Sequence, residues 1–539
     1  MLSLHSHLTV LEAAATNYSD RPAFRIAQKS ASRSTVDTWL PISYQDFLAD
    51  VELSARYWLK RLSVEDVAPR SIVGLWLSGL DYSDVLNIYG MSRAGYVPQL
   101  FSLRLPNPDV VFELLQRANA KALVYDPSFE SAVVNAPVPV RRSASIQDFE
   151  SCAGEQLPPF PTPNSKDDLA FVFHTSGSTS GSPKLVPCTA GYIDSVVFKS
   201  REASTPLNPL KQSVSTWMGS MCHIGQSFML IGSIQHGSCT IQPSKINFSS
   251  DELVDMINRC NLNRLHQFAT FLSVHIRYAR QNPKLLVFMQ SLDTILYSGL
   301  PLPQEDEEFG YQNKLNLVNL FGSTECGAMM FSQRKTGPDA RFLSPLSGVK
   351  YGFFPAGPAA KSDSGLVSAN SQLLELVILG DSPDCPHTSL RKSDGHFHTG
   401  DLFLEAQPGQ YLFRGRDDDW IKSLTSLRCD TRAIEDNVRA TCGDLVDECI
   451  VVGTGRPSPA LFIEPAKDMD HEKLKREIIR RTREFHARRY LHEKITDTEL
   501  VIVVERGALP RTATKGNIRR KAVEESYQVL LDEIYGELD

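Results

Sequence analysis

The segment "HTSGSTSGSPK" (residues 174–184) directly follows the apolar run "LAFVF" (residues 169–173). A loop rich in Gly, Ser and Thr after a buried strand can turn successive backbone N–H groups and hydroxyls toward one point, and such a nest suits phosphate oxygens. Lys184 adds a positive charge at the end of the segment. The closing Gly-Lys-Ser/Thr of P-loop ATPases is missing, and serine-rich segments also serve as linkers. The segment alone therefore leaves two alternatives, a phosphate-binding loop or a linker.

The sequence on both sides of this loop predicts an α/β protein. Upstream, residues 71–100 place an apolar run, a turn, an amphipathic segment and a second apolar run in the order of a β-α-β unit. Strand-like and helix-like segments continue to alternate downstream of the loop. We therefore expect a large domain over residues 1–416 that is built on mostly parallel sheets.

The chain changes character after "FRGRDDDWIK" (residues 413–422). Short apolar runs such as "ECIVVGTG" (residues 448–455) and "ELVIVVE" (residues 499–505) alternate there with charged helical segments. We predict a small α+β domain over residues 417–539, with the acidic turn Asp417–Asp419 as its hinge. The basic helix around residues 471–490 is interpreted as a solvated surface, and a docking face for an acidic partner is the alternative.

Composition excludes several classes of protein. A chain of 539 residues with 42% hydrophobic content exceeds the usual length of one domain. The 56 basic and 63 acidic side chains give a net charge of -7, so no positive field attracts nucleic acid or an anionic membrane. Ten cysteines without a CxxC pair argue against a zinc site and a disulfide framework. No segment approaches the roughly 18 to 20 apolar residues of a membrane span, so we expect a cytoplasmic protein.

Four further motifs bear on the phosphate-loop hypothesis. The segment "NLFGSTECGAMM" (residues 319–330) presents Phe321 and Glu325 around a tight turn, where an aromatic ring can stack a purine and a carboxylate can bind Mg²⁺. "DGHFHTGDLF" (residues 394–403) places Asp401 at an expected strand start, and "FRGRDDDWIK" adds Arg416. "LPRTATKGNIRRK" (residues 509–521) offers Lys515 beside a glycine. Each motif also has an ordinary structural interpretation as a turn, a strand end or a basic tail.

Taken together and in this order, the five motifs resemble those of the adenylate-forming superfamily, which includes acyl-CoA synthetases, adenylation domains of nonribosomal peptide synthetases and luciferases. The resemblance covers nearly the whole chain. It is nearest in character to fungal peptide-synthetase-like adenylation domains and adenylate-forming reductases. It implies a large N-terminal α/β core of several sheet-based subdomains and a small, mobile C-terminal α+β lid.

The resemblance also implies a role for individual residues. Phe321 would cover the adenine, Thr324 would touch the α-phosphate, and Glu325 would hold Mg²⁺. Lys515 would be the catalytic amine that bridges the substrate carboxylate and the α-phosphate, and Asp418 would be the hinge. The complete set implied for ATP and AMP is Thr175, Ser176, Gly177, Ser178, Thr179, Gly181, Lys184, Ser298, Gly299, Phe321, Gly322, Ser323, Thr324, Asp401 and Arg416, with Asp401 on the ribose.

The implied reaction is ATP- and Mg²⁺-dependent adenylation of a small carboxylic acid, followed by acyl transfer to CoA or to the phosphopantetheine of a carrier protein. His223, in "WMGSMCHIGQSF" (residues 217–228), would be a catalytic residue beside Lys515 and would line the acid pocket with Gly299 and Gly327. Amino-acid-activating relatives carry an Asp in this segment, so an ordinary α-amino acid is disfavoured. An aryl, α-keto or aliphatic acid is expected, in a pathway of secondary metabolism.

Departures from the family pattern keep alternatives open. Ser180 is an apparent insertion in the loop, and Leu185 stands where a glycine is commoner. Ser426 replaces the glycine expected near the pantetheine arm, which affects the thioester step more than adenylation. Lys521 is a second candidate for the catalytic amine. The alternatives at the level of the whole chain are a stand-alone or excised module of a larger synthetase or reductase, and a degenerate nucleotide-binding scaffold.

Overall fold

The computed structural model describes residues 4–29, 35–102, 105, 107–175, 184–332, 338–356, 373–417, 420–422, 428–487, 489, 493–511 and 518–538. The helices are α1 (His7–Asn17), α2 (Tyr44–Ser63), α3 (Tyr82–Arg93), α4 (Pro108–Arg117), α5 (Ile146–Glu150), α6 (Ala190–Ala203), α7 (Ile224–Gln235), α8 (Ser250–Cys260), α9 (Ala269–Ala279), α10 (Pro283–Gln290), α11 (Gln304–Gln312), α12 (Thr431–Cys442), α13 (His471–Ala487), α14 (Arg520–Ser526) and α15 (Gln528–Leu538).

The strands are β1 (Pro22–Gln28), β2 (Thr38–Ser43), β3 (Ile72–Leu77), β4 (Val97–Ser102), β5 (Ala122–Tyr125), β6 (Val140–Arg142), β7 (Leu169–His174), β8 (Leu185–Thr189), β9 (Val214–Thr216), β10 (Cys239–Gln242), β11 (Arg264–Phe268), β12 (Thr294–Ser298), β13 (Leu317–Ser323), β14 (Gly327–Ser332), β15 (Leu343–Pro345), β16 (Tyr351–Pro355), β17 (Leu373–Ile378), β18 (Phe397–Gln407), β19 (Gln410–Arg416), β20 (Trp420–Lys422), β21 (Arg428–Asp430), β22 (Val446–Val452), β23 (Ala460–Pro465) and β24 (Val501–Val503).

Two large sheets organise the N-terminal part of the described chain. One has the order β6-β5-β3-β4-β7-β8, and all of its neighbours are parallel except β7 and β8. The other has the order β16-β17-β18-β19-β15-β14-β13-β12-β11-β9-β10-β1-β2. Its strands from β1 through β10, β9, β11 and β12 to β13 are parallel, whereas those beyond β13 are antiparallel. The expected mostly parallel arrangement therefore stops at β13, because a short turn joins β13 to β14 and can connect only antiparallel strands.

Helix α2 illustrates how the sequence builds these layers. Ser43 caps its N-terminus by accepting a hydrogen bond from the backbone of Asp46, whose carboxylate accepts one from the backbone of Ser43 in return. Apolar side chains at helical spacing, Phe47, Val51 and Trp58 among them, are fully buried. The helix therefore packs one continuous apolar face against its neighbours, chiefly α3.

The elements from β20 onward form a smaller C-terminal domain. Strands β22, β23 and β24 make a three-stranded sheet, and β20 pairs with β21. The apolar core of this domain draws on residues between Ile421 and Tyr535 and is separate from the core clusters of the N-terminal part. The mixed α/β fold with a large N-terminal and a small C-terminal domain is thus confirmed. The boundary between residues 416 and 417 stays a prediction, and the hinge candidate Asp418 lies outside the described residues.

Two features of the whole chain bear on its chemistry. All ten cysteines lie in the described ranges, and each is a buried free thiol. Within the same ranges, no helix combines the length and the apolar character needed to cross a membrane.

Candidate active site

A cleft of about 870 Å³ lies where β12 and β13 end. These two strands are parallel, so their carboxyl ends meet at one edge of the sheet, which is the usual position of ligand sites in α/β proteins. Predicted site residues from distant parts of the sequence line this cleft: Thr175, Lys184, Gly299, Phe321, Gly322, Ser323, Thr324, Glu325, Asp401 and Arg416.

The two ends of the predicted phosphate loop lie at this cleft. Thr175 follows β7 and Lys184 precedes β8, and the backbone N–H of Thr175 donates to the carbonyl of Lys184 over 2.9 Å. The antiparallel pairing of β7 with β8 thus delivers both ends of the segment to the cleft. The predicted ligands between them lie outside the described residues, as does Ser180: Ser176, Gly177, Ser178, Thr179 and Gly181.

A tight hairpin turn brings Thr324 and Glu325 to the cleft. Strand β13 ends at Ser323, whose hydroxyl accepts a hydrogen bond from the backbone N–H of Cys326 over 3.2 Å. A Cβ on Gly322 would collide with the carbonyl of Gly327 across the hairpin. Gly327 itself has φ +66°, a left-handed conformation that favours glycine. The two glycines therefore allow the close turn that exposes a threonine and a carboxylate side by side.

A buried ion pair supports this turn. The ammonium of Lys199, on α6, donates to the carbonyl of Cys326 and to the carboxylate of Asp384, each over 2.7 Å. Lys199 and Asp384 are 1% and 0% exposed. The hydroxyls of Tyr351 and Ser382 also donate to Asp384, over 2.5 and 2.6 Å. The residue after Glu325 is thus tied to a fully satisfied polar network in the core.

Asp401 and Arg416 face each other across strands β18 and β19. The Arg416 guanidinium donates to the Asp401 carboxylate over 3.4 Å, and Asp401 is nearly buried. Asp401 was expected at a strand start, but β18 begins four residues earlier, at Phe397, because the antiparallel ladder with β17 already starts there.

Aromatic rings surround the same edge of the cleft. Phe321 packs against Phe403 and Phe413 with ring centroids 5.2 and 5.1 Å apart. Phe397 and Phe413 line the cleft beside it. The sequence motif predicted only Phe321 as an aromatic residue of the site. The positions of Phe397, Phe403 and Phe413 beside it follow from the pairing of strands β18 and β19.

Residues of the C-terminal domain also line this cleft, and the motifs did not reveal most of them: Arg432, Glu435, Asp436, Arg439, Glu448, Cys449, Ile450, Ile518 and Arg520. Arg520 donates to Glu435 over 2.6 Å. Lys515 lies outside the described residues, but Arg511 and Ile518, which flank it, pair with each other. Lys521 is 74% exposed, forms an ion pair with Glu525 over 3.9 Å and is not among the residues that line the cleft.

The predicted acid-pocket residues adjoin the cleft without all lining it. Gly299 lines it, whereas His223 and Gly327 are not among its lining residues, and neither is Ser298, which was predicted for ATP and AMP. The Ser298 hydroxyl donates to the Leu320 carbonyl over 2.6 Å and so joins β12 to β13. His223 is half-buried at the N-terminus of α7.

Gly327 lies beside the first turn of α7. A Cβ there would lie 3.5 Å from the Tyr192 hydroxyl, 3.8 Å from the Phe228 ring and 3.9 Å from the Ile224 side chain. These three side chains therefore form the surface next to the Glu325 turn.

Two family models cover most of the chain. The "AMP-binding enzyme" model matches residues 11–350, and the "AMP-binding enzyme C-terminal domain" model matches residues 418–539. The chain belongs to the AMP-binding enzyme family. The enzyme is 37% identical to the AMP-binding domain-containing enzyme iboA of Amanita muscaria, over 94% of its own length and 98% of that relative. It is also 23% identical to the adenylate-forming reductase Nps10 of Heterobasidion annosum, over 88% of its own length but only 45% of that larger protein.

Solved structures confirm the fold. The o-succinylbenzoate CoA synthetase of Bacillus subtilis, in complex with its acyl-adenylate intermediate, superposes with a TM-score of 0.73 at 17% identity, over 97% of this chain and 99% of that one. The anthranilate CoA ligase AuaEII gives 0.71 at 15% identity, over 98% and 99%. The resemblance predicted from the sequence motifs is therefore confirmed. The chain thus belongs to the adenylate-forming enzyme family, and its fold is that of acyl-CoA synthetases.

Proposed function

We propose that this enzyme adenylates a carboxylic acid with ATP and Mg²⁺ and then transfers the acyl group to a thiol. The observation that carries the proposal is the convergence of Thr175, Lys184, Glu325, Asp401 and Arg416 on one cleft. These residues come from distant parts of the N-terminal domain, and together they supply two cations, one hydroxyl and two carboxylates. A nucleoside triphosphate needs these groups for its phosphates, its ribose and its metal ion.

The nucleotide would lie along the edge formed by β13, β18 and β19. In this proposal, the ring of Phe321 covers the adenine, and Asp401 accepts hydrogen bonds from the ribose hydroxyls. Arg416 fixes the Asp401 carboxylate from the neighbouring strand. The phosphates extend toward Thr324 and the loop between Thr175 and Lys184. The aromatic packing of Phe321 against Phe403 and Phe413 supports this orientation, because it holds the ring rigidly at the cleft.

The donor set fits a magnesium ion that is held largely by the substrate. Among the described residues, no three His, Cys, Asp or Glu side chains are grouped to bind a metal on their own. Mg²⁺ commonly takes one or two carboxylates and completes its shell with phosphate oxygens and water, so Glu325 alone suffices on the protein side. The ion would neutralise phosphate charge when the carboxylate approaches phosphorus.

The proposed first step joins two anions. The acid's carboxylate oxygen attacks the α-phosphorus, the acyl-AMP bond forms, and pyrophosphate leaves with the bond electrons. Lys515 and Thr324 would stabilise the charge that gathers on the α-phosphate oxygens, and Lys184 would bind the departing phosphates. In the second step a thiol attacks the acyl carbon and AMP leaves.

The acceptor, the acid and the location belong to the same proposal. CoA or a carrier-protein phosphopantetheine would supply the thiol, and an aryl, α-keto or aliphatic acid would be the substrate. The relatives named as CoA ligases and adenylate-forming reductases support this range. The ten free thiols support a reducing, cytoplasmic location.

Pyrophosphate exchange across a panel of carboxylic acids tests the first step, and hydroxylamine trapping of the acyl-AMP tests the product. We expect exchange with the wild type and a loss of at least a hundredfold in Glu325→Ala and Lys515→Ala, because each removes a group that balances transition-state charge. Lys521→Ala is the control and should retain activity. Bound ATP without exchange for any acid would instead favour the nucleotide-binding scaffold. Strong pyrophosphate exchange by Lys515→Ala, together with no exchange by Lys521→Ala, would identify Lys521 as the catalytic amine.

A further inference from the structure

Strand β18 bulges at the point where it presents Asp401 to the cleft. The pairing of β17 with β18 is regular up to Glu375 and resumes at Val377 with a shifted register. Between these two positions, one residue of β17 faces three residues of β18, residues 399–401. A bulge of this kind bends a strand and redirects its side chains. The direction of the Asp401 carboxylate therefore depends on the groups that hold the bulge.

Hydrogen bonds from polar side chains hold each part of the bulge. The Thr399 hydroxyl donates to a carbonyl of β17 over 2.7 Å and accepts from the backbone N–H of Asp401 over 2.9 Å. The backbone N–H of Gly400 donates to the carboxylate of Glu375 over 3.3 Å. Gly400 has φ +71°, and a Cβ on it would lie 3.3 Å from the Arg416 guanidinium. Glu375 thus holds the left-handed residue of the bulge, directly beside the pair of Asp401 and Arg416.

The Glu375 carboxylate is itself held by His398. One of its oxygens accepts from Gly400, and the other lies 3.3 Å from Nδ1 of His398. Nε2 of the same ring lies 2.8 Å from the carboxylate of Asp394. The hydrogen bond with His398 is the main cause that lowers the pKa of Asp394, so this carboxylate is ionised and accepts. A chain of charge-assisted hydrogen bonds therefore runs from Asp394 through His398 and Glu375 to the bulge.

Glu375 acts on the bulge and not on the cleft directly. The described residues that line the cleft include His398, Thr399 and Asp401 but not Glu375. The Glu375 side chain is only 23% exposed, and its two oxygens are directed to Gly400 and to the His398 ring, on either side of Thr399. Its influence on a bound nucleotide would therefore pass through the conformation of the bulge.

We infer that Glu375 is a positioning residue of the nucleotide site and fixes the direction in which Asp401 meets the ribose hydroxyls. The inference rests on the proposed ATP site, in which Asp401 binds the ribose. It assigns the selectivity for ribose over deoxyribose to a carboxylate that does not contact the nucleotide.

Equilibrium binding of ATP, 2′-deoxyATP and 3′-deoxyATP to the full chain with Mg²⁺, measured by calorimetry, tests the inference. We expect the wild type to prefer ATP over at least one deoxynucleotide by about tenfold, because a hydrogen bond to a carboxylate is lost. Glu375→Ala should reduce this preference to about twofold, through weaker binding of ATP and little change for the disfavoured deoxynucleotide. Weakening of all three nucleotides by the same factor, or an unchanged preference, would overturn the inference.

Two conservative variants separate the reach of the side chain from its charge. Glu375→Gln keeps the length and an oxygen that can accept from Gly400, so it should retain most of the preference for ATP. Glu375→Asp keeps the charge but is one methylene shorter, so its carboxylate is withdrawn from the bulge and the preference should fall. The opposite order of the two variants would contradict a role through the Gly400 hydrogen bond. His398→Leu should lower the preference in part, because Glu375 keeps its bond to Gly400.

Glu405→Ala is the matched control. Glu405 also lies on β18, and its carboxylate accepts from the backbone N–H of Gly409 over 3.0 Å. Gly409 has φ +73°, so the substitution removes the same kind of hydrogen bond at a position that does not line the cleft. The preference for ATP should match that of the wild type, and an equal loss in Glu405→Ala would reduce the effect of Glu375 to general disorder of the strand.

Asp401→Ala separates this inference from the proposed function. If Asp401→Ala abolishes the preference and Glu375→Ala keeps it, the inference fails and the ATP site stands. If the wild type binds all three nucleotides equally, or Asp401→Ala keeps the preference, the ribose assignment of Asp401 fails and the inference with it. Because binding requires no turnover, the test holds even if every acid fails in pyrophosphate exchange.

Discussion

The buried pair of Lys199 and Asp384 should make Lys199→Met one of the most damaging single substitutions in the N-terminal domain. The substitution leaves Asp384 fully buried with only the two hydroxyls as donors, and it removes the donor to the Cys326 carbonyl. Removing one partner of a buried ion pair costs about 3–5 kcal/mol, since the remaining charge stays out of water. The turn that holds Glu325 also loses its anchor.

Urea unfolding followed by intrinsic fluorescence measures the first effect, and the Mg²⁺ dependence of pyrophosphate exchange measures the second. We expect the midpoint of the N-terminal transition to fall clearly and the half-saturating Mg²⁺ concentration to rise. The double variant Lys199→Met with Asp384→Asn should recover much of the stability but not the Mg²⁺ response, because it removes the stranded charge without restoring the donor to Cys326. The exposed pair of Lys350 and Asp381, 2.6 Å apart, is the matched control. Lys350→Met should cost less than about 1 kcal/mol, and an equally small cost for Lys199→Met would refute the reasoning.

Three further substitutions test other parts of the site. Gly327→Val should raise the KM for the acid at least tenfold and also weaken ATP binding by calorimetry, because a branched side chain fills the space beside Tyr192 and strains a backbone at φ +66° in the turn that presents Thr324 and Glu325; an unaltered KM would remove Gly327 from the acid pocket. Arg416→Leu should raise the KM for ATP about tenfold with little change in kcat, since charge-assisted bonds contribute about 1.5–3 kcal/mol; a selective loss of kcat would contradict a binding role. Burial lowers the pKa of His7 from 6.5 in the unfolded chain to about 3 in the folded protein. Between pH 6.5 and pH 3 the unfolded chain therefore binds a proton at His7 that the folded protein does not bind. The free energy of unfolding thus has its full value above pH 6.5 and decreases as the pH falls from 6.5 to 3. The slope is about 1.4 kcal/mol per pH unit, and urea unfolding of His7→Leu should show a flatter pH dependence than the wild type.

The sequence predicted those parts of the site whose chemistry is local. The turn from Phe321 to Glu325 and the segment before Lys184 each contain their polar groups within a few residues of an expected strand end, so local composition marked them as candidates. Only the resemblance of all five motifs to the family favoured a nucleotide site over a turn and a linker. Their order along the chain then supported the family, the α/β class and the small C-terminal domain.

Other features depend on packing between distant segments and leave no local pattern. Lys199 and Asp384 are 185 residues apart, and a lysine on an amphipathic helix is ordinarily a solvated one. His7 lies near the N-terminus in an unremarkable helix, and only the packing of five elements shows that its ring is enclosed. The antiparallel half of the large sheet was likewise missed, because strand direction depends on the connections and not on the apolar runs themselves.

The burial of all ten thiols has a consequence for the proposed acyl-adenylate chemistry. The thiolate is the reactive form of cysteine, and burial raises the pKa of Cys449, whose residue borders the cleft, to about 12. An acyl-AMP formed there would meet no accessible thiol on the protein's own cysteines, so these side chains are protected from acylation. The same burial supplies an intrinsic reporter, since a thiol-specific chromogenic reagent would react with the native protein slowly and with each domain as it unfolds.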